Sequence, residues 1–496
     1  MNRNGFGLRS LKWLALALAL LACVVYAIYL GHAIYVERAL YADGSFFFVD
    51  LLSHNHGWPI SDDEKHVRLF ANILNQFPSA VAVQLGVESL VVLKILFGAS
   101  LFLGPFLAYI YCFFLSRRAN NYRVFLFSIA SLVTCAIPSD IFIVNQSFIS
   151  LALVWVLLHY LLLNIDIRRY DWVVISFVSL LLFRAHENLI FWGGLIFIGA
   201  VGVIRFGAGG SILREKRHLY MLGFAGLAQA LFVIYWQMTH PVGEQTNAFL
   251  QLIDFAMPQE MWLGNTRISL LATALLVVAM LYGACSRSVR KTGVLLSGLF
   301  LLLFLSLSIY VLYFGASAIQ NLTMTDPRRE FNYRFLMTFG SSGWMLLSIV
   351  FVLARINIDV RAQYLAIGAL SVGLLSASMW QISNSLQWLD FKVAAFNELN
   401  TSSGPIVQPE LVREKLQSEG RDYLYKYRWD WTWPVFGMSL QADGRVVKMY
   451  KPEGFEAYFN PPEKIPFLRR SVAGDGSVRK EFYSFDEFQR AGKTEQ

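Results

Sequence analysis

Between Tyr41 and Gln76 the chain gathers Asp43, Asp50, Asp62, Asp63 and Glu64 with His54, His56 and His66, all set among aromatic residues. A carboxylate within hydrogen-bond reach of a hydroxyl can take its proton as a new bond forms. This segment is therefore where a general base would be sought, and Asp43 and Asp63 are the candidates. Each has a plainer reading. Asp43, before Gly44-Ser45, also suits a helix cap, while Asp62, Asp63 and Glu64 suit a first helical turn, where the dipole alone favours acids. The histidines have the chemistry of metal ligands, but two surface histidines without an orienting partner are more often solvated.

Three further polar groups recur between apolar runs. Arg184-Ala185-His186-Glu187-Asn188 forms a short break between two such runs, and 239–267 carries His240, Glu244, Asp254 and Glu260. The third is Asp326-Pro-Arg328-Arg329-Glu-Phe-Asn-Tyr-Arg334. A guanidinium fork matches a phosphate or carboxylate in two-pronged geometry, so Arg328, Arg329 and Arg334 read as an anion site. Arg184, His186 and Glu187 read as substrate contacts, or as groups that satisfy one another at a helix end.

The elements that must position these groups are transmembrane helices. Of 496 residues, 56% are hydrophobic and 15% charged, against roughly a quarter charged in soluble domains. Apolar runs of membrane length recur, with too little period-two alternation for barrel strands. Spans are expected near 11–33, 89–115, 124–138, 147–164, 172–188, 189–205, 219–238, 268–285, 293–314, 335–354 and 364–382. That makes about eleven transmembrane helices. The net charge of +8 reflects topology, not nucleic-acid binding. From Ser385 onward acids and bases balance, and the excess lies in short basic loops such as Arg117/Arg118 and Arg168/Arg169, which mark cytoplasmic ends. The N-terminus is then inside and the tail outside. The outer arginines at 328–334 run against that bias, and an anion-binding role explains them. Cys23, Cys112, Cys135 and Cys285 all fall in apolar runs, which excludes a disulfide framework.

Within the first outer loop, 34–88, two short helices are expected. One spans 45–53, and the other starts with a Ser61/Glu64 capping box and ends at Pro78. Past the last span, an amphipathic helix, a helix over 409–419 stopped by Gly420, and a hairpin at Asp443-Gly444 suggest a small α+β domain. The fold class is thus an all-α polytopic membrane protein, 1–384, with an α+β extracytoplasmic domain, 385–496. Trp429, Trp431 and Trp433 belong to that domain's core or to a sugar-stacking face.

An acid in a long first outer loop, an Arg-Tyr-type motif at a later span's outer end (here Tyr333-Arg334) and an outer C-terminal domain together resemble the GT-C superfamily of lipid-linked glycosyltransferases. The stretches YADGSFFFVDLL, KHVRLFANILNQFP and FRAHENLIFWG resemble a group of bacterial membrane proteins of that type. The resemblance implies transfer of a sugar from a polyprenyl-phosphate carrier to an envelope glycan, lipid or protein on the extracytoplasmic side of a bacterial inner membrane. The first-loop acid would be the base. No Asp-Glu pair follows the first span and no Asp-x-Asp motif lies outside, so no metal or other cofactor is called for. The alternative class is a transporter or flippase of a lipid-linked saccharide. Ionisable groups at the outer surface, with Lys94 an exception inside a span, favour the enzyme.

Overall fold

A computed structural model describes residues 3–53, 66–137, 146–206, 217–240, 336–356, 358, 360–429, 432–441, 446–452 and 483. The architecture is helical. Among the described residues, five helices are long and apolar enough to cross a membrane: α1 (Arg3–Tyr35), α4 (Leu90–Arg118), α8 (Leu189–Phe206), α9 (Arg217–Thr239) and α11 (Val360–Thr401). Shorter ones lie between them: α2 (Asp43–Ser53), α3 (Leu69–Gln84), α5 (Arg123–Ser131), α6 (Gln146–Leu162), α7 (Arg169–Leu182) and α10 (Ser341–Leu353). α5 continues through a π turn to Ala136, and another π turn, Leu336–Gly340, opens α10. The expected spans near 270 and 300 lie outside the described residues.

α6 explains the centre. Its run Gln146–Leu162 is apolar on every face, and nearly all of its side chains are buried. A helix without a polar stripe belongs inside a bundle, and α4, α7, α8 and α10 pack round it. α8 and α9 run antiparallel at close range because both are glycine at the crossing. A Cβ on Gly193 would lie 2.5 Å from the Gly226 carbonyl oxygen.

Helix length divides the bundle. At 1.5 Å per residue, α4 and α11 span about 43 and 63 Å, whereas α7 spans about 21 Å and α8 about 27 Å. α7 starts level with the end of α4, where Arg118 clamps Asp171 through Nη2 at 2.7 Å. Arg123 reaches the Ile356 carbonyl at 3.3 Å on the same face. From this basic end, α7 reaches only about halfway up α4. The turn after it is recessed.

Three expectations are corrected. α3 begins at Leu69, and Pro78 lies inside it instead of ending it. A proline removes one helical N–H, here the one that would reach the Leu74 carbonyl, and the helix runs on through it to Gln84. Residues 61–64, the expected cap, lie outside the described residues. The last span and the helix after it form one continuous α11 of 42 residues. The expected hairpin is not formed by its flanks. Met438 to Leu440 belong to helix α13 (Trp433–Leu440), while β2 (Met449–Tyr450) pairs in parallel with β1 (Ile406–Val407). Helix α12 (Glu410–Ser418) does stop as expected, with Gly420 at φ +68°. Trp433 is buried, in keeping with the core reading, against Phe391, Phe436 and Tyr450.

Candidate functional site

The recessed turn between α7 and α8 is Arg184-Ala-His-Glu-Asn188, and it supplies the first carbonyls of α8: Phe191 and Trp192 N–H both donate to the Asn188 carbonyl at 3.0 Å. Glu187 faces back toward the first loop. Arg68 Nε lies 2.9 Å from both of its oxygens. His66 Nδ1 approaches to 3.7 Å and His186 Nδ1 to 3.4 Å. The backbone completes the join, because Phe70 N–H donates to the Arg184 carbonyl at 2.8 Å. Burial favours the neutral acid, but the Arg68 guanidinium, joined by His186 and His66 when their imidazoles are protonated, outweighs it and holds the Glu187 carboxyl well below its usual range.

His186 Nδ1 also accepts the Asn188 N–H at 3.2 Å, which a neutral imidazole can do and an imidazolium cannot. Protonation would turn that nitrogen toward Glu187 and release the amide. Beside it, the Arg184 guanidinium carbon sits 4.2 Å from the Trp236 ring centroid. The His240 ring stacks on the same indole at 4.1 Å and 7°. Two flat groups cannot both occupy one face at those distances, so the indole is sandwiched between a guanidinium and an imidazole.

A third segment arrives from further along the chain. Thr338 Oγ1 donates to Asn188 Oδ1 at 2.8 Å, and Trp192 Nε1 donates to Ser341 Oγ at 3.0 Å. Thr338 follows Arg334 by only four residues. Arg328, Arg329, Arg334 and Asp63 themselves lie outside the described residues. Of the expected site residues, Arg184, His186 and Glu187 are therefore brought together, and His66 and Arg68 join them.

Asp43 sits on another element, the first turn of α2, and is half-buried. The chain leading to it is held tightly. Arg38 is buried, with Nη1 donating to the Gln381 carbonyl at 2.9 Å and to Ser385 Oγ at 3.0 Å. Glu37 takes Lys392 Nζ at 3.0 Å and Lys94 Nζ at 3.6 Å. Tyr41 packs edge-on against Trp388, Tyr427 and Trp429. Glu37 and Ala42 both adopt positive φ, 58° and 50°, a conformation that non-glycine residues keep only where the surroundings impose it.

Sequence reasoning named His66 without its partner Glu187, and missed Arg68 and the Glu37 tie. Part of the signal was present: Lys94, in an apolar run, required a partner. Among the described residues, no group of three or more histidine, cysteine, aspartate or glutamate side chains is placed to hold a metal ion. No family model, curated protein or solved structure matches the chain.

Proposed function

We propose that this chain is a membrane glycosyltransferase of GT-C type. It takes a sugar from a polyprenyl-phosphate carrier and passes it to an envelope acceptor on the extracytoplasmic side. One observation carries the reading. Polar groups far apart in sequence, at 66–68, 184–188 and Thr338, converge on one recessed end of the short helices. The bilayer-sized apolar helices around them supply the membrane from which a lipid-linked donor would approach.

In this reading the Asp43 carboxylate takes the proton of an acceptor hydroxyl. The acceptor oxygen bonds to the anomeric carbon, and the bond from that carbon to the phosphate oxygen breaks, with inversion. The polyprenyl phosphate leaves with the electron pair. Arg184, with Arg328, Arg329 and Arg334, would offset charge on the departing phosphate, since donors fixed where charge develops lower the barrier most. Glu187 is committed to Arg68 and holds the site together.

The test is transfer by the purified chain in nanodiscs, supplied with a radiolabelled polyprenyl-phosphate sugar and an envelope lipid fraction. Asp43→Asn is expected to lower turnover by about 100-fold or more with donor binding retained, as loss of a general base does. Retained turnover in Asp43→Asn removes the assigned base. Passage of the donor across the bilayer with no new glycosidic bond assigns the chain to transport instead.

A further inference from the structure

Two ammonium groups from different helices share one carboxylate beside the end of α1. Lys392 Nζ, on α11, donates to Glu37 Oε2 at 3.0 Å and to the Val36 carbonyl at 3.1 Å. Lys94 Nζ, one turn into α4, stops 3.6 Å from Glu37 Oε1, beyond hydrogen-bond reach. Glu37 is thus spent chiefly on Lys392. Lys94 is the cation left short.

The Lys94 side chain is only 6% exposed, and an ammonium taken out of water needs closer compensation than one shared carboxylate. The Lys392 charge acts on it as well and repels it. Two positive charges against one negative leave a single unit of charge unmatched within the triad. The triad is also open to the outside. The Glu37 and Lys392 side chains are 21% and 15% exposed. Lys94 Nζ makes no hydrogen bond, yet it is not among the fully covered, unpartnered atoms of the described residues, so the ammonium keeps surface of its own.

Depth identifies what reaches that surface. Roughly 35 Å of helix separates Lys94 from Arg117 at the basic end of α4, and the hydrocarbon layer accounts for about 30 Å of it. Lys94 therefore stands about 5 Å beyond the far edge of that layer, among the lipid headgroups. Tyr35 at the end of α1, Leu85 after α3 and Val91 on α4 are all exposed nearby, an apolar and aromatic rim that suits the interface. The anion that every bilayer carries in that plane is a lipid phosphate. A phosphodiester bears one negative charge, the amount the triad lacks.

We propose that Lys94 and Lys392 bind the phosphodiester of a glycerophospholipid headgroup, at the edge of the bilayer opposite the basic end, with Glu37 setting the strength of the site. It stands apart from the anion contacts assigned to Arg184 and 328–334 and does not depend on the transfer reaction.

The full-length chain, freed of lipid in a neutral detergent, is titrated with phosphatidylglycerol and followed by native mass spectrometry. Diacylglycerol with the same chains, which lacks the phosphate, should not compete. Lys94→Met should weaken the tightest site about tenfold, as loss of a charge-assisted contact does, and Lys94→Arg, which keeps the charge, should retain it. Glu37→Gln is the decisive variant. It removes the carboxylate that competes for both ammonium groups and should tighten binding about threefold or more. Should Lys94→Met fail to fold, Lys392→Met takes its place, with a loss of about threefold. A triad that only braces the helices gives unchanged or weaker binding in Glu37→Gln, and either result overturns the proposal, as does unchanged binding in Lys94→Met. Equal uptake of diacylglycerol overturns it too. Farnesyl phosphate that displaces phosphatidylglycerol from the Lys94-dependent site also overturns it, by assigning the site to a phosphomonoester.

Discussion

Two carboxylates anchor the two halves of this molecule in opposite ways. Glu187 stands in a break between short helices and holds together segments that have no helix in common. Glu37 stands beside long helices that already pack against one another: α1 lies along α11, and Lys94 and Lys392 only add to that contact. The first ion pair makes the junction; the second reinforces it. Arg184 and His186, the other charged groups at that junction, are the candidate contacts for a ligand on the short-helix side.

Removing Arg68 is the strongest way to break this contrast. Arg68→Ala leaves a mostly buried carboxylate without its chief counter-charge, and a loss on the order of 3 kcal/mol is expected from thermal unfolding in detergent. Adding Glu187→Gln should restore much of it, because the stranded charge goes too. Next in size is Gly193→Ala, which drives a methyl into the Gly226 carbonyl and should cost about 2 kcal/mol by forcing α8 and α9 apart. In the long-helix half, Lys392→Met should cost about 1 kcal/mol or less, since Lys94 still faces Glu37 and the packing is untouched. Equal losses from Arg68→Ala and Lys392→Met would erase the distinction.

Acidity sharpens the same comparison. The Glu187 carboxyl is held below its usual value in the folded protein. Its contribution to stability is therefore complete above about 4.5, the ordinary value, and is lost as pH falls through the depressed one. Unfolding followed from neutral pH downward should show a loss in that acid window, and Glu187→Gln should flatten it. Lys392→Met should leave that window in place.

The sequence announced the membrane helices but not their lengths in space. The runs near 130, 180 and 345 read as spans by composition, yet α5, α7 and α10 fall short of the membrane-length helices beside them. Hydropathy carries no information about that. Pro78 looked like a stop because local chemistry favours one, but α3 continues beyond it packed along α4, a contact that no local pattern could reveal. Gly420 was legible because a left-handed residue after a helix is a local demand. The turn at 184–188 was legible as a polar break. Its partners were not, since Arg68 reaches Glu187 and Thr338 reaches Asn188 across 119 and 150 residues of sequence.

The uninterrupted α11 has a consequence of its own. Gln381 and Ser385 receive Arg38, Asn384 receives Tyr427, Lys392 reaches Glu37, and the Ala395 carbonyl takes the Tyr450 hydroxyl at 2.5 Å. All these appointments are kept by angular phase along one shaft. A single residue inserted near Gly373 would turn everything beyond it by about 100° and advance it about 1.5 Å. Every later contact would then point at the wrong neighbour, although no contact residue had changed. An insertion of seven residues returns the phase to within about 20° while lengthening the shaft by two turns. Homologous chains should therefore tolerate length changes in the segments flanking α11 far more readily than within it.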